Sequence, residues 1–305
     1  RTGYPLHRWP PKSRGEAATE VLKGGEKSRR CVKRRCFAGN LQVKKAEAAA
    51  APAQAAAVVE TFPVTGTKIY MNWVIRPLPI KRQPALRRHW LMREEFIWTT
   101  YIHEHPLYLL KTGHPEKVVE ALAEGFRKVA QAMAPRLYLR FSDFKSSEYR
   151  DLKGGEEFEP HEPSALLGWR GASRYYDPKY TAAFRLEVQA VRKVREEYGL
   201  KNLNVMIPFC RTVDECAKVV SIMEEEGLHR GPDFKVWLMA EIPANIILAD
   251  KFNQYVDGYS IGSNDLTMLT LGCDRDNDVI SHLFDERNLA VRRAVRHLIE
   301  VAHRD

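Results

Sequence analysis

Glu241, in the run AEIPAN, and Asp265, in GSNDLT, are the side chains best suited to do chemistry in this sequence. Each stands at or just past the carboxyl end of a short apolar segment, so the two acids can face one volume with hard oxygen ligands. That donor set suits Mg²⁺, which takes one or two carboxylates and completes its octahedron with water and substrate. Taken singly, each acid also has a plainer role, Glu241 as an acid ahead of the helix that Pro243 opens and Asp265 as a helix N-cap. Four arginines shift that balance. Arg93 (LMREEF), Arg140 (LYLRFSD), Arg170 (LLGWRGASRY) and Arg275 (LGCDRDND) all fall in or beside the same kind of strand-end loop. Converging guanidinium groups are costly unless an anion receives them. Cations beside a metal site point to a phosphorylated or carboxylate substrate.

The elements that must position these residues alternate along the chain. Spacing predicts a helix over 115–133, with Leu122, Phe126, Val129 and Met133 on one stripe, and another over 178–197, with Phe184, Val188 and Val191 on one face. Short apolar runs predict strands at Leu137 to Phe141, Val205 to Phe209, Val236 to Ala240 and Tyr259 to Ile261. Thr212 with Glu215 reads as a capping box. It opens a helix whose apolar face is Val213, Cys216, Val220 and Met223, which makes Cys216 a core residue. Pro243 suits the first turn of a helix, and Val291, Val295 and Leu298 mark a final one. Strand and helix alternating over short connections signal a parallel sheet, either doubly wound or closed as a (β/α)8 barrel. Arg140, Glu241 and Asp265 at strand carboxyl ends favour the barrel, whose rim assembles chemistry there.

Composition sets the outer bounds. With 305 residues and 44% hydrophobic content there is material for a real core. No apolar run is long enough for a membrane span. Cys31, Cys36, Cys210, Cys216 and Cys273 form an odd, scattered set, which fits a reducing, cytoplasmic setting. The net charge of +9 invites a nucleic-acid partner, but residues 1–45 carry +10 and residues 73–90 carry +5, leaving −6 for the rest. The basic run RRCVKRR at 29–35 has no interleaved aromatics for base stacking. A poorly structured basic N-terminal arm is therefore preferred over a nucleic-acid tail. Residues 46–60 are alanine-rich and broken by Pro52, as in a linker. Pro77, Pro79 and Pro84 keep residues 73–90 from continuing as a helix or central strand. The organisation is then a basic segment over 1–45, a linker over 46–60 and a barrel over 61–305.

Residues 137–304 closely resemble the PEP/pyruvate-binding barrel of the phosphoenolpyruvate synthase (pyruvate, water dikinase) family. The likeness runs through RFSDFKSSEYRDLKGG, LLGWRGASRY, MIPFCRTVDE, AEIPAN, GYSIGSNDLTMLTLGCDRDND and FDERN. Residues 67–72 and 91–136 resemble the opening of that barrel. Pyruvate phosphate dikinase and the first enzyme of the sugar phosphotransferase system share the barrel, but SDFKSSEYRDLKGG fits the synthase best. The resemblance implies a transferase converting ATP, pyruvate and water to phosphoenolpyruvate, AMP and phosphate through a phosphohistidine on a swivelling domain. It implies Mg²⁺ on Glu241 and Asp265, substrate contact by Asn264, and Arg93, Arg140, Arg170 and Arg275 around the phosphoryl group and the pyruvate carboxylate. A cation and arginines at that point would neutralise the enolate and the moving phosphoryl, which needs electrostatics and alignment above all. Pyruvate or phosphoenolpyruvate and a phosphohistidine domain are the implied partners, and a homodimer is compatible with the family.

Three departures accompany the likeness. The phosphohistidine signature is absent: residues 16–27 only faintly resemble the end of that domain, and His7 has no matching context. Residues 73–90 replace the helix and strand entrance ahead of LMREEF, so a broken second strand is expected. This segment and 1–45 read like coding sequence in a wrong frame. The family's proton-transferring cysteine, in a Gly-x-Cys-Gly turn on the eighth strand, would lie beyond Asp305, so no catalytic residue is assigned. Cys273 has no His or carboxylate spaced to activate it and is read as a bystander. The expectation is an incomplete (β/α)8 TIM barrel, a fragment without a nucleotide-grasp domain and inactive alone in the full reaction. The alternatives are one of the two related enzymes, a carbon–carbon lyase on the same barrel, against which RGASRY counts, or a non-catalytic basic nucleic-acid-binding module.

Overall fold

The computed structural model describes residues 71–73, 89–132, 136–164 and 166–304. The basic arm over 1–45, the linker over 46–60, the boundary near residue 60 and most of the basic segment (74–88) lie outside the described residues.

Six strands form one parallel sheet: β1 (Met71–Trp73), β2 (His89–Arg93), β3 (Leu137–Arg140), β4 (Leu203–Ile207), β5 (Val236–Ala240) and β6 (Gly258–Ile261). Their spatial order is their chain order. A doubly wound sheet must reverse its order at a switch point; a sheet that always steps the same way winds in one sense, as a TIM barrel does. The strand order therefore agrees with the barrel type expected from the sequence. The expected break in the second strand is not seen, because His89–Arg93 pairs in parallel with β1 on one side and β3 on the other. The prolines end before His89, and the pairing absorbs the irregular entrance as a register shift between Met71 and Asn72.

Side chains alternate across each strand with a period of two. One face, with Met92, Leu139, Val205, Ile207 and Leu238, packs against the helices in the main core. The other face gathers Leu91, Tyr138, Met206 and Met239 into a separate inner cluster. Two residues further along the same inner face stand Arg93, Arg140 and Glu241. Register aligns them, with Arg93 opposite Arg140. The apolar filling of the barrel thus gives way to charge at its carboxyl end.

The helices follow the expected stripes. Pro115–Ala132 buries Leu122, Phe126 and Val129, and Thr181–Glu196, shorter than the expected 178–197, buries Phe184, Val188 and Val191. β4 begins two residues earlier than expected, at Leu203, and ends at Ile207, because Phe209 turns into a left-handed conformation with φ of 43°. Half of the expected capping box forms: Thr212 Oγ1 accepts from Glu215 N–H at 3.1 Å, while Glu215 itself accepts from Arg211 N–H at 2.6 Å. Cys216 is fully buried in the core and Pro243 opens Pro243–Ile247. The last helix is Leu289–Arg304. Among the described residues no helix is long and apolar enough to cross a membrane.

Candidate active site

A cavity of about 930 Å³ opens at the carboxyl ends of the strands, lined by Arg93, Arg140, Arg170, Asn264, Asp265 and Arg275 together with Glu95 and Asp143. Glu241 is buried and is not among the lining residues. The carboxylates of Asp143, Glu241 and Asp265 bring oxygens within 4.8 Å of one another. The two acids singled out by their sequence position thus meet, and a third joins them.

Arg170 ties this group together. Its Nε and Nη2 donate to the two oxygens of Asp143 at 2.9 and 2.6 Å, and Nη2 also reaches Asp265 Oδ2 at 3.2 Å. Its guanidinium lies 3.9 Å from the centre of the Phe209 ring. Gly171 permits this arrangement: its φ is 57°, and a β-carbon there would meet the Pro208 carbonyl at 2.6 Å. Arg140, at the end of β3, donates from Nη2 to Glu95 Oε1 at 2.5 Å and approaches Asp143 at 3.6 Å. Glu95 also accepts from Asp143 N–H at 2.9 Å and sits 3.6 Å from Arg93 Nε. Even so, Arg140 Nε and Arg170 Nη1 are buried without a hydrogen-bond partner. A buried cationic donor left unpaired is expensive, so each of these atoms lacks an acceptor it calls for.

Glu241 is buried with one oxygen engaged, Oε1 accepting from Phe209 N–H at 2.7 Å. Burial, with the Asp143 and Asp265 charges beside it, pushes its carboxyl up to about 8 against the pull of Arg140 and Arg170. Burial acts in the same direction on Asp143, but there Arg170 and Arg140 outweigh it and hold the carboxyl below its usual range. Desolvation opposes the charge on Arg140 and Arg170, yet the surrounding acids keep both more firmly protonated than a free arginine.

The donor set fits Mg²⁺. All three groups are carboxylates, and Arg170 occupies both oxygens of Asp143, which leaves Glu241 and Asp265 as the pair able to hold a hard cation. Asp265 is in the first turn of Ser263–Leu271 rather than at its N-cap, with Asn264 beside it. Arg275 is not drawn into the cluster. It sits on the outer lip, its side chain 46% exposed and 3.7 Å from Asp276. Cys273 is buried and free, and it does not line the cavity.

Sequence reasoning passed over Asp143, seen only inside LYLRFSD and RFSDFKSSEYRDLKGG, and Glu95, seen only inside LMREEF. Both carried the same signal as Glu241, an acid just past a strand carboxyl end. The part played by Phe209 had no such signal, since it works through a backbone N–H and an aromatic face.

A family model described as the PEP-utilising enzyme, PEP-binding domain, matches residues 77–305. The chain belongs to this family of PEP-utilising enzymes. Among curated relatives, it is 53% identical over 264 residues to the "Probable phosphoenolpyruvate synthase" of Staphylothermus marinus, covering 85% of this chain and 32% of that protein. It is 50% identical over 302 residues to the phosphoenolpyruvate synthase of Aeropyrum pernix, covering 94% and 36%. With the phosphoenolpyruvate synthase of Synechocystis sp. it shares 48% identity over 235 residues, covering 70% and 29%. The chain spans about a third of the length of these relatives.

Proposed function

We propose that this chain carries the pyruvate and phosphoenolpyruvate site of a phosphoenolpyruvate synthase. The observation that carries this reading is the pair of buried, unpartnered guanidinium donors, Arg140 Nε and Arg170 Nη1, beside the carboxylate cluster at one cavity. In this reading Glu241 and Asp265 hold Mg²⁺, each giving one oxygen to a protein donor and turning the other toward the ion. Mg²⁺ bound there would place positive charge beside an oxygen of the three-carbon acid and stabilise the negative charge that develops on it.

The remaining work falls to the chain's own groups. Arg93, Arg140 and Arg170 receive the carboxylate and phosphoryl oxygens, and Asn264 adds a neutral contact from the first turn of its helix. Asp143 and Glu95 are not consumed; they hold Arg170 and Arg140 at fixed angles, so the donors need little reorganisation when charge moves. Phosphoryl transfer asks mainly for such alignment and neutralisation. The full conversion of ATP, pyruvate and water to phosphoenolpyruvate, AMP and phosphate, through phosphohistidine, is the proposed activity of an enzyme of the relatives' length. This chain supplies its acceptor half.

Titration calorimetry of the 305-residue chain with oxalate, an enolate mimic, tests the reading. Heat that requires Mg²⁺ is expected; oxalate uptake indifferent to Mg²⁺, or none at all, overturns it.

A further inference from the structure

We propose that Phe209 is a positioning residue that joins the metal-holding and anion-holding halves of this site; the inference rests on the site reading above. Phe209 adopts φ of 43°. That left-handed conformation is unfavourable for a residue with a β-carbon and persists where the surroundings over-determine it, most often at functional sites. Two contacts depend on it here. The backbone N–H donates to Glu241 Oε1 at 2.7 Å. The ring lies under the Arg170 guanidinium at 3.9 Å, with Arg211 also against it at 4.8 Å. Both flanking arginines are anchored: Arg170 grips Asp143, and Arg211 donates to Ser173 Oγ at 3.1 Å and to the Gly168 carbonyl.

The ring and the amide act on different partners. An aromatic face attracts a guanidinium without using any of its N–H donors, so Arg170 is held in place while Nη1 stays available to an anion. The amide fixes Oε1 of Glu241 and so determines which carboxylate oxygen turns toward the cation. An extended backbone at this position would aim the amide and the ring elsewhere. One strained residue therefore sets the relation between the acid and the cation donor that the chemistry needs.

This division of labour gives a test that simple core packing would not pass. Phe209→Leu keeps the strained backbone and the amide but removes the aromatic face, and Phe209→Tyr restores the face. Calorimetry with Mg²⁺ alone and then with oxalate should show oxalate affinity falling by about thirtyfold in Phe209→Leu, the size of a desolvated cation–π contact. Mg²⁺ affinity should stay within about twofold, since amide hydrogen bonds to the acid survive. Phe209→Tyr should recover oxalate binding. Independently of any ligand, the Arg170 Nε–H resonance should be shifted upfield by the ring in the wild-type chain and should lose that shift in Phe209→Leu. Parallel loss of Mg²⁺ and oxalate binding in Phe209→Leu would reduce Phe209 to a packing residue, and unchanged oxalate affinity would equally overturn the proposal. If the wild-type chain takes up no oxalate, the site reading fails by itself. The Arg170 resonance then decides the placement, and a shift that survives Phe209→Leu refutes it.

Discussion

Glu241 should make Mg²⁺ binding expel a proton. In the metal-free site burial, reinforced by Asp143 and Asp265, raises its carboxyl from 4.5 to about 8. At pH 7 such a group is about nine-tenths protonated, whereas a metal ligand must be a carboxylate. Calorimetry at pH 7 in buffers of different ionisation enthalpy should therefore return close to one proton released per Mg²⁺ bound. Apparent affinity should rise about tenfold from pH 6 to 7 and about fivefold from 7 to 8, then level off by about pH 9. The same shift bears on stability with a definite sign. The folded metal-free chain binds this proton more tightly than the unfolded chain, so the contribution is full below 4.5 and is lost as pH rises through about 8. Within that window each pH unit removes about 1.4 kcal/mol from the metal-free protein. Mg²⁺ should offset the loss. Buffer-independent heats with flat affinity from pH 6 to 9 would show Glu241 already ionised, and the desolvation reasoning would be wrong.

Three further outcomes are expected. Gly262→Ala places a β-carbon 2.5 Å from Glu241 Oε2 and should weaken Mg²⁺ binding by roughly 10–100-fold, read by the same titration. Asp143→Ala removes the acid that occupies Nε and Nη2 of buried Arg170, and urea unfolding should show a loss of about 3–5 kcal/mol. Glu187, fully buried and accepting from Ser142 Oγ at 2.7 Å, has its carboxyl pushed up to about 7 by burial. Its contribution is also lost as pH rises, here between about 4.5 and 7, so Glu187→Gln should flatten the decline in thermal stability across that range, which melting curves will show.

Much of the site was legible because strand ends are legible. Apolar runs of four or five residues place Arg140 and Glu241 at their carboxyl ends, and a period of two keeps each on the inner face behind Tyr138 and Met239. Asp265 follows the same rule in the helix after β6. Arg275, read in the sequence from its strand-end loop, lines the same cavity, with Asp276 at 3.7 Å. Prolines in 73–90 argue against a strand wherever they stand, yet they stop short of His89, so β2 forms.

The sequence by itself determined the alternation of strand and helix, the inward acids and arginines, and the family, because side-chain periodicity and motif wording are local properties of the chain. Only the tertiary structure decided that the sheet winds in one sense. It alone showed that Asp143 occupies Arg170, that Glu95 restrains Arg140, and that Phe209 touches both halves of the site. Those facts depend on contacts between residues 27 to 45 positions apart, and on backbone geometry at a single residue. The energy of such contacts comes from desolvation and mutual orientation, which exist only after the chain has closed around them.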